Sequence, residues 1–273
     1  MLKINYIEGK PVFRRSDLES LLKCGYQFEL THQETDYVGP EHTSEPLFVG
    51  TMFHLVMSKY FKSVMEGYWP SRDDLILLAQ HLWQTSDSIV TWTTSPTGAL
   101  EVLTRLVGNY FDWLGKQDWK DIDPISSENT RLLELDSCWI TGTTDLETKV
   151  GGIIDFKTAA TYEAGKDIAK ESIQPAFYSL LVSEGDINKA ADIPFDFHVV
   201  TKDKLGTVHQ IRAYTTIQDL SILKEVYIPR AVKIMQAGLF LPNTMYKWCS
   251  PKYCPVWKQC RGFNPLELVT NLG

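Results

Sequence analysis

An acid and an amine stand two positions apart at the end of a short apolar segment, Gly151-Gly-Ile-Ile-Asp-Phe-Lys-Thr158. Ile153 and Ile154 are β-branched and apolar, which predicts a buried strand entered through two glycines. Side chains at i and i+2 of a strand point to the same face, so we expect Asp155 and Lys157 to lie side by side. Such a pair is costly to bury unless the two groups pair with each other or hold a metal ion.

A second carboxylate, Asp145, lies upstream in Ile140-Thr-Gly-Thr-Thr-Asp-Leu-Glu147, which predicts another strand. A turn near residues 149–152 would return the chain antiparallel and bring Asp145 beside Asp155. Two carboxylates and a lysine suit a hard divalent cation and a water molecule, the groups needed for metal-assisted phosphodiester hydrolysis. The alternative is that Asp155 and Lys157 form a surface ion pair on an edge strand.

Two helical segments carry further candidates. His54 lies near the start of a helix expected to open at Gly50 or Thr51. A single histidine there is more often a hydrogen-bonded core residue, and it becomes a metal-ligand candidate if it faces the two carboxylates. Gln174 and Tyr178 are four residues apart in a helix expected over residues 166–184, so they share one helix face.

Three cysteines, Cys249, Cys254 and Cys260, fall within twelve residues. A tetrahedral zinc site or an iron–sulfur cubane needs a fourth ligand, which must be Cys24 or Cys138. Cys24 is the better candidate because we expect it at the end of a helix, whereas Cys138 falls in a predicted strand as an inert core thiol. The sequence alone leaves both zinc and iron–sulfur open.

The composition limits the class of protein. The 273 residues, 44% of them hydrophobic, are enough for one large domain or two small ones. No apolar run reaches the length of a membrane span, and residues 1–10 lack an apolar signal core, so we expect an intracellular protein. An odd number of cysteines, five, makes a disulfide framework an unfavourable interpretation.

The charge is unevenly distributed. A net charge of −7 argues against a general nucleic-acid binder. Local basic clusters still allow an acidic protein to follow a phosphate backbone, with a solvated basic face as the alternative. The clusters are Arg14, Arg15 and Lys23, and Lys247, Lys252, Lys258 and Arg261.

Periodicity and capping patterns predict alternating helices and strands. Ser16 is the expected N-cap of the first helix, Gly25 its expected end, Ser71 a later N-cap, and Pro229 a break in the last helix. We expect helices over 12–30, 71–118 in two pieces, 166–184 and 216–237, the last ended by Gly238, and strands over 129–136, 138–146, 151–157, 195–201 and 207–214.

With these motifs in hand, the chain resembles the PD-(D/E)xK nuclease superfamily. It looks most like RecB-type nucleases that carry an iron–sulfur cluster, such as the AddB C-terminal nuclease, the CRISPR-associated iron–sulfur exonucleases and their phage relatives. Two features depart from the family pattern: Gly25 follows the first cysteine where proline is frequent, and four residues, not two, separate Cys249 from Cys254. The matching motifs are Gly50-Thr-Met-Phe-His54, Gly142-Thr-Thr-Asp145, Ile154-Asp155-Phe-Lys157, Gln174-x3-Tyr178, and Cys24 with Cys249, Cys254 and Cys260.

The resemblance implies an α/β fold with a restriction-endonuclease-like core, in which helices flank a central mixed sheet. It also implies a helical insertion and an iron–sulfur staple that joins the N- and C-terminal segments. The expected single nuclease domain, 1–273, divides into a cluster helix at 12–30, a helical part at 50–120, a catalytic core at 126–215 and a C-terminal part at 216–273.

The implied activity is that of a metal-dependent DNA exonuclease acting on single strands or DNA ends. His54, Asp145 and Asp155 would hold Mg²⁺ or Mn²⁺, and Lys157 would be catalytic together with the two aspartates. A 4Fe-4S cluster would be held by the four cysteines named with the motifs, and Gln174 and Tyr178 would contact DNA.

The implied setting is recombination, repair, phage DNA processing or CRISPR adaptation, in the cytoplasm of the producing or host cell and away from membranes. A helicase, a recombinase or a CRISPR integration complex are the expected partners, and homo-oligomer formation stays open. The competing hypotheses are a catalytically silent DNA-binding or assembly subunit and a zinc-stapled structural protein. An intact set of His54, Asp145, Asp155 and Lys157 argues against both.

Overall fold

The computed structural model describes residues 4–32, 43–246, 248–251 and 253–261. Lys247 and Lys252, which belong to the predicted basic segment, lie outside the described residues. The chain forms two compact units. The first consists of Met1–Glu41, Leu132–Thr141 and Ser221–Gly273, and the second of His42–Arg131 and Gly142–Leu220.

The helices and strands alternate along the chain. The helices are α1 (Arg15–Lys23), α2 (Gly25–His32), α3 (Glu45–Met65), α4 (Arg72–Gln84), α5 (Pro96–Leu114), α6 (Trp119–Ile122), α7 (Tyr162–Glu171), α8 (Gln174–Val182), α9 (Ile187–Ala191), α10 (Ile217–Ser221), α11 (Ile228–Ala237) and α12 (Trp257–Arg261), with a π-helical segment at Ile222–Tyr227. The strands are β1 (Tyr6–Ile7), β2 (Lys10–Arg14), β3 (Thr43–Ser44), β4 (Val90–Thr91), β5 (Pro124–Glu134), β6 (Trp139–Thr148), β7 (Ile153–Ala159), β8 (Phe195–Thr201) and β9 (Val208–Ala213).

The second unit is built on a mixed sheet. Strand β6 pairs antiparallel with β7, with Leu146 opposite Ile154. Strand β7 pairs parallel with β8 along its whole length, and β8 pairs antiparallel with β9. Every residue of β8 is buried, as expected for a strand covered on both faces. The predicted mixed α/β core is therefore confirmed.

Helices cover both faces of this sheet. Helices α3, α4 and α5 bury one apolar core together with sheet residues that include Phe156 and Val200. Val199, the neighbour of Val200, points to the other face because strand side chains alternate. There it meets α7, where a Cβ on Gly165 would lie 2.4 Å from the Val199 side chain, so this close approach requires glycine.

The first unit contains strands β1 and β2, the first residues of β6, and several helices. Strand β1 pairs antiparallel with β2, and β2 pairs parallel with the first residues of β6, from Val12–Trp139 to Arg14–Thr141. Helix α1 packs against α2 and α11. Gly25 begins α2 where the backbone of Leu241 passes, and a Cβ at Gly25 would lie 3.2 Å from the Leu241 nitrogen.

The structure corrects the predicted start of the first helix and confirms its end. The first three residues of the segment 12–30 belong to β2. Ser16 is not the N-cap, because α1 begins at Arg15 and the backbone N–H of Arg14 donates to the Asp17 carboxylate at 2.7 Å. Helix α1 ends at Lys23 with Cys24 as its C-cap, as predicted, and Gly25 then opens a second helix that was not predicted.

Two other predicted helices begin elsewhere. The helix predicted to open near Gly50 begins at Glu45. Pro46 suits its first turn, because backbone N–H groups there have no partner within the helix and proline lacks this group. The single helix predicted over 166–184 is two helices, and α8 begins at Gln174 with Pro175 in its first turn. Near Pro229, where we expected the helix to bend or break, the chain passes from the π-helical segment to α11 at Ile228. The predicted end at Gly238, whose φ is 64°, is confirmed. No helix among the described residues is long and apolar enough to cross a membrane.

Candidate active site

His54 is positioned by the packing of α3 on the sheet. Phe53 on the same helix is fully buried, which fixes the rotation of the helix. Gly50 lies against β7, where a Cβ would come within 3.1 Å of the Thr158 hydroxyl. The His54 Nδ1 atom lies 3.2 Å from Asp145 Oδ2. The condition for a functional histidine, that it faces the carboxylates, is met for Asp145.

Asp145 is fixed by the neighbouring strand. Leu146 and Glu147 pair with Ile154 and Ile153 in the antiparallel register. Further along β7, the backbone N–H of Phe156 donates to Asp145 Oδ2 at 2.8 Å. A buried strand amide thus pairs with a side chain, which holds the carboxylate at the edge of the β6–β7 ladder.

Asp155 is buried between two polar side chains. Only 3% of its surface is exposed. Its Oδ1 atom accepts a hydrogen bond from the Gln174 side-chain amide. The Lys157 Nζ atom lies 2.5 Å from its Oδ2 atom as an ion pair, as the i, i+2 spacing predicts. Beyond this ion pair, Oδ2 accepts no hydrogen bond from the described residues.

The two aspartates differ in their affinity for protons. Burial, reinforced by the negative charge of Asp145, raises the pKa of Asp155 to about 6, although Lys157 opposes the rise. Burial alone would also raise the pKa of Asp145, but His54, Lys157 and the Phe156 N–H together lower that pKa below its usual value. Two neighbouring carboxylates whose pKa values differ in this way can take different roles in acid–base chemistry.

The pKa of His54 is shifted upward, in the opposite direction to that of Asp145. Burial alone would lower its pKa, but the adjacent Asp145 carboxylate outweighs burial and raises the pKa of His54 above its usual value. Without a cation, the imidazole and the carboxylate therefore stabilise each other as a charged pair. A divalent cation bound to both groups would displace the imidazole proton.

His54, Asp145 and Lys157 line a cleft of about 680 Å³ in the second unit. Its volume is in the range of small-molecule and cofactor sites. The lining residues are Pro46, Leu47, Gly50, Thr51, His54, Leu55, Ser58, Lys62, Glu128, Thr143, Asp145, Lys157 and Thr158.

Gln174 and Tyr178 face the protein interior in this structure. Gln174 is 4% exposed and contacts Asp155. Tyr178 is also buried, and a Cβ on Gly142 would lie 2.7 Å from its ring. This close approach gives a physical reason for glycine in the Gly142-Thr-Thr-Asp145 motif. A direct contact of either residue with DNA stays a prediction.

The four candidate cluster cysteines lie in the first unit, and all are partly exposed with free thiols. Cys24 Sγ accepts backbone hydrogen bonds from Gln27 at 3.5 Å and Asn243 at 3.3 Å. Burial, followed by the neighbouring thiols Cys249, Cys260 and Cys24, raises the pKa of Cys254. The other three thiols are therefore close enough to Cys254 to influence its ionisation.

Cys138 has the properties of an inert core thiol, as predicted. Its side chain is fully buried, and burial raises its pKa to about 11. A thiol that stays protonated at neutral pH is a poor ligand and a poor nucleophile.

The donor chemistry fits a metal ion at each site, but the spacing is wider than that of a formed metal site. Carboxylate oxygens suit Mg²⁺ or Mn²⁺, and the buried Asp155 Oδ2 atom forms an ion pair with Lys157 but accepts no hydrogen bond from the described residues. Thiolates suit iron or zinc. Within the part of the chain that the structure describes, however, no three His, Cys, Asp or Glu side chains are close enough together to hold a metal ion.

Two residues of the cleft were not predicted from sequence. Lys62 lies eight residues after His54 on α3, and helical periodicity could have placed both on one face. Glu128 could not be found in this way, because β5 begins at Pro124 while the alternating pattern predicts a strand only from residue 129. Desolvation in the cleft, followed by the charge of Asp145, raises the pKa of Glu128, although the residue remains exposed.

Residues 15–261 match the family model of the PD-(D/E)XK nuclease superfamily. The chain belongs to this superfamily. Membership implies a nuclease, and therefore a hydrolase, and it accounts for the catalytic motifs described above. Nucleases of this superfamily generally use Mg²⁺ or Mn²⁺. No curated protein sequence matches the chain.

A solved structure shares the fold of this chain. The chain is similar to the crystal structure of a candidate exonuclease from Eubacterium rectale, with a TM-score of 0.53 and 13% sequence identity over 86% of each chain. At this identity the likeness concerns the fold alone. The structure of the protein SSO0001 aligns over 90% of this chain and 95% of its own at 15% identity, with a TM-score of 0.35 that is too low to support an argument.

Proposed function

We propose that this nuclease is a metal-dependent DNA exonuclease with His54, Asp145, Asp155 and Lys157 as its catalytic groups. The observation that carries the proposal is that His54, Asp145 and Lys157 line one cleft, where His54 contacts Asp145, and that the buried Asp155 contacts Lys157. A nucleic-acid phosphate is the substrate group that such a set can hydrolyse.

Each side chain has a distinct task. His54, Asp145 and Asp155 would hold the divalent cation, which when bound supplies Lewis acidity toward a phosphate oxygen and a water of lowered pKa. Lys157, whose ammonium group lines the cleft, orients the attacking water or stabilises the charge that develops on the phosphate. Gln174 keeps the Asp155 carboxylate in a fixed orientation through its amide.

The four cysteines, Cys24, Cys249, Cys254 and Cys260, are proposed to hold a 4Fe-4S cluster with a structural role. The influence of the other three thiols on Cys254 supports this proposal. The two backbone N–H donors on Cys24 Sγ also support it, because such donors stabilise thiolates bound to iron. Zinc is the alternative. The absorption spectrum of anaerobically purified protein decides between them, since iron–sulfur charge transfer absorbs at about 400 nm and zinc thiolates are colourless.

The test of exonuclease activity compares linear and circular single-stranded DNA. Linear DNA labelled at either end, and a circle of the same sequence, are incubated with Mn²⁺, Mg²⁺ or EDTA. We expect shortening of the linear strand from one end with metal, no cleavage with EDTA and an intact circle. Cleavage of the circle would favour an endonuclease, and no cleavage by folded protein would favour the catalytically silent subunit.

The wider setting stays a prediction. It includes action on single strands or DNA ends, a helicase, recombinase or CRISPR integration partner, and the cytoplasm as the site of action. The organisation of residues 1–273 as one nuclease domain is also a prediction.

A further inference from the structure

Glu128 has an unusual backbone conformation for its place in the fold. The non-glycine residues with positive φ among those described are Glu8 at 50°, Glu128 at 54° and Glu184 at 55°. Glu8 and Glu184 each lie in a turn and precede a glycine, where such a conformation is common. Glu128 instead lies within β5, where a left-handed residue is strained.

The neighbouring residues show where the Glu128 side chain points. Asn129 and Arg131 donate to Glu147 on one face of β5. The Thr130 hydroxyl lies 2.8 Å from the Thr143 hydroxyl on the other face. Thr143 and Glu128 both line the cleft, so the Glu128 carboxylate opens onto the same space as Asp145 and His54.

Contacts within the protein do not explain this arrangement. Glu128 accepts no hydrogen bond and forms no ion pair with any residue in the described ranges. Its carboxylate and that of Asp145 face one cleft, and like charges in a confined space repel each other. A hard divalent cation between two carboxylates removes this repulsion. Strain at a residue that lacks a protein partner is typical of a ligand-binding position.

The oxygens of Asp155 are less accessible. One contacts Gln174, and Lys157 lies against the other, while the residue itself is almost fully buried. The carboxylates that open onto the cleft are those of Asp145 and Glu128.

We infer that Glu128 is a further oxygen ligand of the divalent cation in this cleft, alongside Asp145 and His54. The inference rests on the proposed function, because it assigns a residue to the same metal site. It assigns to Glu128 a task that no motif of the sequence predicts.

The test is a calorimetric titration of Mn²⁺ into metal-stripped protein. The variants are Glu128→Gln, which removes the charge and keeps the shape, and Glu184→Gln, a matched control with the same residue type and a similar φ outside the cleft. We expect Glu128→Gln to weaken Mn²⁺ binding by about tenfold or more, and Glu184→Gln to leave it unchanged. Wild-type affinity in Glu128→Gln would overturn the inference.

A second pair of variants separates metal binding from folding. Glycine adopts a left-handed conformation freely, so Glu128→Gly and Glu184→Gly should both melt at a higher temperature in EDTA. Only Glu128→Gly should also lose Mn²⁺ affinity by about tenfold or more. Unchanged affinity in Glu128→Gly would contradict the inference even if Glu128→Gln failed to fold.

The Asp145→Asn variant distinguishes this inference from the proposed function. Loss of Mn²⁺ binding in Asp145→Asn with full binding in Glu128→Gln would reject Glu128 alone. Absence of Mn²⁺ binding by the wild-type protein would reject both.

Discussion

The catalytic cleft and the cysteine segment differ in how their side chains are held. In the second unit, Asp155 is buried in a strand that pairs on both sides, and Gln174 and Lys157 fix its carboxylate. In the first unit, the cysteines of residues 249–260 lie in turns and in the five-residue helix α12. Val256 is the buried residue among those described in 239–261.

This difference indicates two ways of building a site. The catalytic groups are positioned by the core of the second unit, which folds through burial of apolar surface and sheet hydrogen bonds. The cysteine segment buries little apolar surface, so we expect its order to depend on a bound group.

Outside the two aspartates, the largest predicted effect concerns Lys157. In Lys157→Ala, the single-turnover cleavage rate of single-stranded DNA should fall by about 10²–10³-fold, because a preorganised charge at the reacting phosphate is lost. Lys59→Ala is the matched control, since Lys59 is exposed on α3 and does not line the cleft. A rate in Lys157→Ala close to that of Lys59→Ala would remove Lys157 from the catalytic groups.

The next prediction tests whether the cysteine segment depends on its ligand. Cys254→Ser should abolish the absorption band near about 400 nm and increase hydrogen exchange in α1, α2 and α11, while β7 and β8 keep their protection. Cys138→Ala, which removes the buried thiol outside the set, should keep the band. Equal exchange in wild type and Cys254→Ser would show that the segment is ordered without a cluster.

The core that supports the catalytic cleft should also respond to pH. Burial lowers the pKa of His198 to about 4, and its Nδ1 atom lies 2.8 Å from the Tyr110 hydroxyl. Between this value and the usual pKa of about 6.5, the unfolded state binds more protons than the folded state, so stability is lost as pH falls. The loss from this residue is on the order of 3 kcal/mol between pH 6.5 and 4.

The measurement is the free energy of urea unfolding across this range in wild type and His198→Asn. The variant should lose this part of the pH dependence, although other groups keep theirs. Identical slopes in both proteins would show that His198 is not the group that titrates.

The smallest predicted effect concerns the close packing behind Asp145. In Gly142→Ala, the new Cβ would lie 2.7 Å from the Tyr178 ring, so the ring must shift. Such overpacking typically costs about 1–3 kcal/mol in the free energy of unfolding. A Gly165→Ala variant, with its Cβ 2.4 Å from Val199, is a control for overpacking at another position of the sheet. Equal stability of Gly142→Ala and wild type would show that α8 can move away from β6.

The strands that carry the candidate catalytic residues could be predicted from the sequence, because β-branched residues and alternating apolar and polar side chains are typical of a buried sheet. Asp155 and Lys157 follow Ile153 and Ile154, and their i, i+2 spacing alone determines that they share a face. The sequence made His54 a ligand candidate only on the condition that it faces the carboxylates, since its helix and the strand of Asp145 are far apart in sequence. The contact of His54 with Asp145 depends on tertiary packing, which no local pattern encodes.

Other features of the structure depend on backbone conformation and tertiary packing, which residue types alone do not predict. The left-handed φ of Glu128 is unusual for a glutamate within a strand, so the backbone preferences of glutamate would not predict this conformation. The burial of Gln174 against Asp155 requires α8 to lie on the sheet, whereas helical spacing indicates only that Gln174 and Tyr178 share a face. The position of Cys24 near Asn243 joins segments separated by more than two hundred residues.

The most direct test of the account is the Mn²⁺ dependence of cleavage in wild type and Asp155→Asn, measured on end-labelled single-stranded DNA under single-turnover conditions. The account predicts saturable activation of the wild type by Mn²⁺, and a rate at least about 10³-fold lower in Asp155→Asn with an unchanged circular dichroism spectrum. Cleavage by Asp155→Asn at the wild-type rate, or undiminished wild-type cleavage in EDTA, would contradict it.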